Sequence, residues 1–170
     1  MNFTIGDILA LNFTHLSDMQ SLEVLSFRNN PQTSRWMYAQ TIFLDTHLQF
    51  ITELKSNPNS HYWLFKKGQI SLGVGSLTRI NKTHRHGYLG LYKNPDLQNV
   101  GKEILASLEY IAFKEFALHT LHLEVMASNQ KAINFYQKHQ YHLEGRLIEF
   151  IYHNHTYEDA LIYTKRNPYA

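Results

Sequence analysis

The sequence predicts an α/β fold of the α+β kind: a mixed, mostly antiparallel central sheet of about seven strands flanked by about four helices. Three features predict it. Aromatic and β-branched segments separated by short turns fill the stretch from His61 to Tyr92. Apolar residues recur with a helical period over Gly101–Phe116, and strict alternation over Thr120–Met126 is followed by one more helical segment and a strand pair. With 170 residues, 44% of them hydrophobic and 18% charged, the chain is expected to fold as one domain, residues 1–170, around one core.

The elements follow in order. The first residues read as one strand. Ser17-Asp18-Met19-Gln20 has capping-box spacing, and Met19, Leu22 and Val24 to Phe27 continue it as a helix that Arg28-Asn29-Asn30-Pro31 stops. Thr46-His47-Leu48-Gln49 repeats that spacing ahead of Leu48, Ile51 and Leu54, and Asn57-Pro58-Asn59 closes the second helix. His61–Lys66 and Gln69–Ile80 form a hairpin about Lys67-Gly68, and Gly87–Tyr92 is a third strand. Gly90, in its middle, marks a bulge or a close backbone approach to a ligand, or else an ordinary weak position. Ile104, Leu105, Leu108, Ile111 and Ala112 share one face of the helix Gly101–Phe116. Thr120–Met126 is a strand and Asn129–His139 a helix. The strands Tyr141–Tyr152 and Tyr157–Thr164 straddle the turn His153-Asn154-His155.

Composition excludes several functions. Sixteen Lys and Arg against fourteen Asp and Glu give a formal charge of +2, too weak a field to hold a nucleic acid by counterion release. Cysteine is absent, which removes disulfides, thiolate zinc sites and thiol nucleophiles. Met1 to Phe13 carries Asp7 and no basic residue, unlike a signal peptide, and no apolar run reaches bilayer-spanning length, so a cytoplasmic protein with no membrane partner is expected. Eleven histidines include His84-Arg85-His86 and His153-Asn154-His155, but neither pair has a third ligand at metal-site spacing, so no metal is expected.

The segment Gly90 to Lys102 carries the first chemistry. It passes from a strand through the turn Asn94-Pro95-Asp96 into a helix start whose unpaired N–H groups and macrodipole suit a pyrophosphate, with Gly101 letting the backbone approach and Lys102 adding charge. The same pattern also fits an ordinary helix start. Gln98-Asn99-Val100-Gly101 resembles the Gln/Arg-x-x-Gly-x-Gly/Ala phosphate loop of the GCN5-related N-acetyltransferases. Asn129-Gln130-Lys131-Ala132-Ile133-Asn134-Phe135-Tyr136, ending at Tyr141, resembles that family's Asn-x-x-Ala-x-x-Phe/Leu-Tyr segment. The likeness covers roughly residues 62–163 and departs at one position, where Glu103 replaces a small residue.

The resemblance implies that family's fold and the direct transfer of an acetyl group from acetyl-CoA to an amine, in agreement with the lack of a cysteine to carry the acyl group. By it, Leu89, Gly90 and Leu91 pair with the pantetheine arm. Gln98, Asn99, Val100, Gly101 and Lys102 hold the pyrophosphate, and Asn129 and Phe135 also bind the cofactor. Tyr136 protonates the leaving thiolate, a task suited to a hydroxyl of pKa near 10. For the amine proton the residues offer Glu124, if its strand parity turns it into the cleft and not to solvent. Ser76 and Thr78, on one strand face, would position a water or the acceptor.

A finer likeness covers nearly the whole chain. Phe27-Arg28-Asn29-Asn30-Pro31, Trp36-Met37-Tyr38, Thr46 to Ile51, Gly73-Val74-Gly75-Ser76, Tyr92-Lys93-Asn94-Pro95 and Leu143-Glu144-Gly145-Arg146 resemble bacterial acetyltransferases of the pseudaminic acid pathway. That implies the 4-amino group of UDP-4-amino-4,6-dideoxy-N-acetyl-β-L-altrosamine as acceptor, in a route to flagellin glycosylation. Residues 17–60 would then bind the acceptor, 61–140 acetyl-CoA, and 141–164 complete the sheet. Arg28 would grip the diphosphate, Tyr38, Phe50 or Tyr88 stack on uracil, Met37 fill the gap between, and His47, Arg79 and Tyr92 surround the sugar. Acetylation of protein N-termini, or acyl-CoA binding without catalysis, are the competing readings. A homodimer is compatible with the family.

Overall fold

The computed structural model describes residues 1–39, 41–153 and 155–170. Its strands are β1 (Phe3–Ile5), β2 (Ile8–Asn12), β3 (His61–Lys67), β4 (Ile70–Asn81), β5 (His86–Lys93), β6 (Thr120–Met126), β7 (His142–His153) and β8 (Thr156–Arg166). Its α-helices are α1 (Asp18–Asn29), α2 (Pro31–Ser34), α3 (Leu44–Leu54), α4 (Gly101–Tyr110) and α5 (Gln130–Lys138). The eight strands make one sheet in the order β1-β2-β3-β4-β5-β6-β8-β7, antiparallel except where β5 meets β6.

Local chemistry accounts for most boundaries. Ser17 and Gln20 form the capping box of α1, each side chain bonding the other's backbone N–H. The second capping box does not form. Helix α3 begins at Leu44 with Phe43 as an N-cap that makes no side-chain bond, so Thr46 lies inside the first turn. The opening strand is a hairpin, β1 and β2, turning through Gly6 at φ +59. One helical turn, α2, starts at Pro31 where Asn30 caps the Gln32 N–H. The helix Gly101–Phe116 is α-helical to Tyr110 and closes in a π turn over Ile111–Glu115. Asn154 of the predicted last turn lies outside the described residues.

The two faces of the sheet are covered differently. Trp63, Phe65, Leu77, Leu89, Leu121, Leu123 and Val125 pack with Ile104, Leu105 and Leu108 of α4 and Ile133 and Tyr136 of α5. On the opposite face Leu64 and Val74 meet Phe13, Val24, Phe27 and Leu54, which brings α1 and α3 onto that side. Met126, Ile151 and Ala160 form a third cluster with Trp36 against it.

No register shift occurs at Gly90, which pairs with Ser76 in a regular ladder. The glycine has another cause: a Cβ there would lie 2.9 Å from the Ser76 hydroxyl. The crowded glycine is Gly73, at φ +153, where a Cβ would meet the Tyr92 carbonyl at 2.4 Å and Ile104 at 2.8 Å.

Candidate active site

Strands β5 and β6 pair only over His86–Tyr88 against Thr120–His122. Beyond Tyr88 they part, although β5 continues to Lys93 and β6 to Met126. Leu89, Gly90 and Leu91 therefore keep their β4 partners on one side and have no β6 partner on the other. Their backbone groups on that side form an open edge inside the sheet, a template for an extended amide-bearing chain.

At the far end of β5 the chain turns into α4. Lys93 Nζ donates to the carbonyls of Asn94 (3.3 Å), Pro95 (3.2 Å) and Leu97, and Asn94 donates to the Ser71 carbonyl at 3.0 Å, which fixes the loop. Sequence reasoning missed Lys93, because nothing in its spacing announces a cation that gathers three carbonyls of its own turn. Asn99 takes φ +59 ahead of Val100, which caps α4 with no side-chain bond. The helix start is thus open to an anion. Gln98, Asn99 and Lys102 are exposed around it, and a Cβ on Gly101 would only touch Phe135 at 3.5 Å. Glu103 faces Lys67 at 3.4 Å, which also pairs with Asp7 at 3.0 Å.

Helix α5 runs beside this start. Asn129 accepts the Ala132 N–H at 3.1 Å as its N-cap, so its carbonyl oxygen also anchors the helix. Phe135 packs on Tyr136 and His139 with centroids 5.3 and 4.5 Å away. Tyr136 is 7% exposed, and burial alone pushes its hydroxyl well above the usual tyrosine pKa, so it stays protonated.

On the opposite face four segments converge. Leu121, Leu123 and Val125 point into the α4–α5 core, so Glu124 projects to the side of α1 and α3, which resolves its parity. Its Oε1 accepts Arg79 Nη1 at 2.6 Å and its Oε2 accepts the Tyr38 hydroxyl. Arg79 also lies 4.4 Å above the ring of Tyr88, which tilts against His122 at 5.3 Å. Arg79 reaches this position because the β4 register shifts between Thr78 and Asn81 and its own φ is +50. Its bond to Glu124 raises the guanidinium pKa further, and burial, then the bond to Glu124, raises that of Tyr38.

The remaining candidates are less accessible or already engaged. Ser76, 8% exposed, donates to the Gly90 carbonyl at 3.4 Å, and Thr78 stands opposite Tyr88 in the ladder. The Arg28 guanidinium donates to the Ala39 carbonyl; desolvation lowers its pKa and raises those of Tyr62 and Tyr92. Met37 is half-buried next to Tyr38. His47 is 5% exposed, bonded through Nε2 to the Ser21 carbonyl at 3.0 Å and packed on Phe13. Phe50 meets Tyr62 edge-on at 4.9 Å, within the α1–α3 core. His47 is thus inaccessible where it stands and Phe50 half-buried, the two residues that the sequence placed around sugar and base. Among the described residues no group of three or more His, Cys, Asp or Glu side chains converges as a metal site, and no helix is long and apolar enough to cross a membrane.

Comparison with known proteins adds the following. The model of the acetyltransferase (GNAT) family matches residues 19–141. The chain is 30% identical over 142 residues to acetyltransferase PseH of Campylobacter jejuni serotype O:2, covering 83% of this chain and 88% of that one. It is also 30% identical over 92 residues to the spermidine N(1)-acetyltransferase of Escherichia coli K12, over 52% of this chain and 49% of the other. Among solved structures, Campylobacter jejuni PseH with acetyl coenzyme A superposes with a TM-score of 0.74 at 21% identity, covering 94% and 98% of the two chains. Spermidine N-acetyltransferase from Vibrio cholerae with CoA and spermine gives 0.85 at 17% identity, covering 96% and 97%.

Proposed function

The chain belongs to the acetyltransferase (GNAT) family, and on that premise we propose that it transfers acetyl from acetyl-CoA to the 4-amino group of a UDP-linked 4-amino-4,6-dideoxy sugar, as the likeness to PseH suggests. The observation that carries this reading is the convergence of Tyr38, Arg79, Tyr88 and Glu124 where β5 and β6 part. Three segments read as acceptor-binding meet there beside the edge read as cofactor-binding. The whole chain, residues 1–170, works as one unit in this reading, with the pseudaminic acid route to flagellin glycosylation as its setting and the cytoplasm as its compartment.

The residues fit the cofactor. The free edge of Leu89–Leu91 suits the two amides of a pantetheine arm, and the uncapped α4 start with Gly101 and Lys102 suits a pyrophosphate. Bound acetyl-CoA supplies an acetyl thioester open to amine attack. Glu124, oriented by two donors, receives the ammonium proton of the acceptor through a water or by exchange with the Tyr38 hydroxyl. Tyr136, kept neutral by burial, donates its O–H toward the departing sulfur. Ser76 holds the Gly90 edge in place, and Asn129 and Phe135 align α5 beside it. Arg28 puts positive charge on the acceptor face, which favours a diphosphate over a polyamine, whereas the charge of Arg79 is matched by Glu124.

A thiol-release assay with acetyl-CoA tests this, comparing the UDP-linked 4-amino sugar, the UDP-free amino sugar, spermidine and an N-terminal peptide. Turnover is expected on the UDP-linked amine. Turnover confined to spermidine or the peptide keeps the enzyme and discards the sugar, and cofactor binding without turnover on any amine indicates a binding module.

A further inference from the structure

His122 precedes Glu124 by two residues on β6, and since Leu121, Leu123 and Val125 enter the α4–α5 core, both project to the opposite sheet face. Two contacts hold its ring. Its Nδ1 lies 2.8 Å from the hydroxyl of Thr164, a β8 residue only 3% exposed and directly opposite it in the ladder. Its ring tilts against Tyr88 of β5 at 5.3 Å, and these two residues are the last register pair before β5 and β6 part. From Tyr88 the contacts run on to the carboxylate. Arg79 of β4 lies 4.4 Å over the Tyr88 ring and donates to Glu124 Oε1 at 2.6 Å. Thr164, His122, Tyr88, Arg79 and Glu124 thus form one series of contacts that crosses four strands and ends at the fork.

We infer that His122 is a positioning residue for acetyl transfer: its neutral imidazole backs Tyr88, Tyr88 seats Arg79, and Arg79 holds Glu124 to receive the acceptor's proton. The inference rests on the reading of Glu124 as proton acceptor, not on the identity of the amine. Arg79 needs such a seat. Its side chain is 58% exposed, so the Tyr88 ring and the Glu124 carboxylate are what keep it from solvent. A ring that carries a cation must itself be held, and His122, tied to a buried hydroxyl, is the neighbour that holds Tyr88 where the strands part.

The charge on His122 matters for the same reason. From β5 it faces His86, edge-on at 5.7 Å, on which His84 stacks; from β7 it feels Glu144, and His142 stands opposite Thr164 in the ladder. Burial first and His86 second hold His122 below the ordinary histidine range against the pull of Glu144, so it is neutral at pH 7 and above. A proton taken up in acid sets an imidazolium two residues from Glu124 and across Tyr88 from Arg79, drawing the one and repelling the other. Turnover should therefore decline as pH falls through that depressed value.

Initial rates at saturating acetyl-CoA and saturating amine, with whichever amine the wild-type enzyme turns over, test this from about pH 8.5 down to about pH 5.5. His122→Ala should lower kcat about tenfold at the alkaline end with KM for acetyl-CoA unchanged, and His122→Asn, which can keep the Thr164 bond without the ring, should do the same. His122→Phe puts a ring back against Tyr88 and should recover most of that loss, yet without the wild-type decline toward acid. His86→Asn removes one cause that keeps His122 neutral and should move the decline to higher pH. A wild-type kcat in folded His122→Ala, or a His122→Phe profile that falls with pH as wild type does, overturns the inference. If Glu124→Gln is slow in the same assay, either result leaves the proposed function standing. A normal kcat in Glu124→Gln overturns the proton path, and the role of His122 with it.

Discussion

Arg79 and Glu124, 45 residues apart in sequence, form an ion pair at 2.6 Å whose ends differ in environment: the carboxylate side chain is 11% exposed and the guanidinium 58%. The exposed end is screened by solvent, so the pair contributes below about 1 kcal/mol to stability. Its value is geometric, since Arg79 and Tyr38 together fix both carboxylate oxygens.

Glu124→Gln should therefore separate activity from stability. The amide can still accept from Tyr38, while its NH₂ end cannot take a proton from the acceptor. We expect kcat with the amine acceptor to fall about 100-fold, with a thermal midpoint within about 2 °C of wild type. A folded variant of normal kcat would remove Glu124 from the proton path.

Tyr136→Phe removes one oxygen from a buried ring and keeps its volume. The wild-type hydroxyl stays protonated because burial raises its pKa, so Tyr136 produces no descending limb in the pH–rate profile below about pH 10. The variant should lose about 100-fold in kcat and little in KM for acetyl-CoA. An equal loss in KM alone would make the ring a packing residue.

Two glycines should respond oppositely to alanine. Gly73→Ala drives a Cβ to 2.4 Å from the Tyr92 carbonyl and 2.6 Å from the Lys93 Cα, backbone atoms that cannot step aside, and should destabilise the fold by more than about 2 kcal/mol. Gly101→Ala meets only Phe135, at 3.5 Å, and should fold normally. If the α4 start holds the pyrophosphate as proposed, the added methyl crowds it and KM for acetyl-CoA should rise about tenfold. Denaturation curves and initial rates on the two proteins decide the matter.

Much of this architecture is legible in the sequence because local rules and tertiary packing agree there. Thr120–Met126 alternates because only one face of β6 enters the α4–α5 core, and Ser17 and Gln20 cap α1 with no outside help. Legibility fails where a feature depends on a neighbour remote in sequence. Gly90 reads as a bulge, a close approach to a ligand or an ordinary weak position, yet its side-chain space is taken by Ser76 of β4, while Gly73, with the greater constraint, lies beneath Ile104 of α4. Thr46 has a cap's spacing but sits inside a helix that starts two residues earlier. The site divides likewise. Tyr38, Arg79, Tyr88 and Glu124 were each nameable, but their convergence needs the β4 irregularity that turns Arg79 across the sheet. The burial of His47 was not legible, because nothing local tells a buried imidazole from an exposed one.

That burial has a consequence for pH. Desolvation lowers the pKa of His47, and likewise of His61 and His122, below the ordinary value near 6.5. Below that pH the unfolded chain takes up protons that the folded chain refuses, so the stability held above about pH 6.5 is lost as pH falls through the depressed folded values. The thermal midpoint should accordingly decline between pH 7 and pH 5, above the range in which ordinary carboxylates titrate. His47→Gln can still donate to the Ser21 carbonyl but cannot titrate, so its decline over the same interval should be shallower than wild type. An identical slope would mean that His47 protonates without resistance in the folded protein, and that the contact between α1 and α3 opens more readily than its 3.0 Å bond implies.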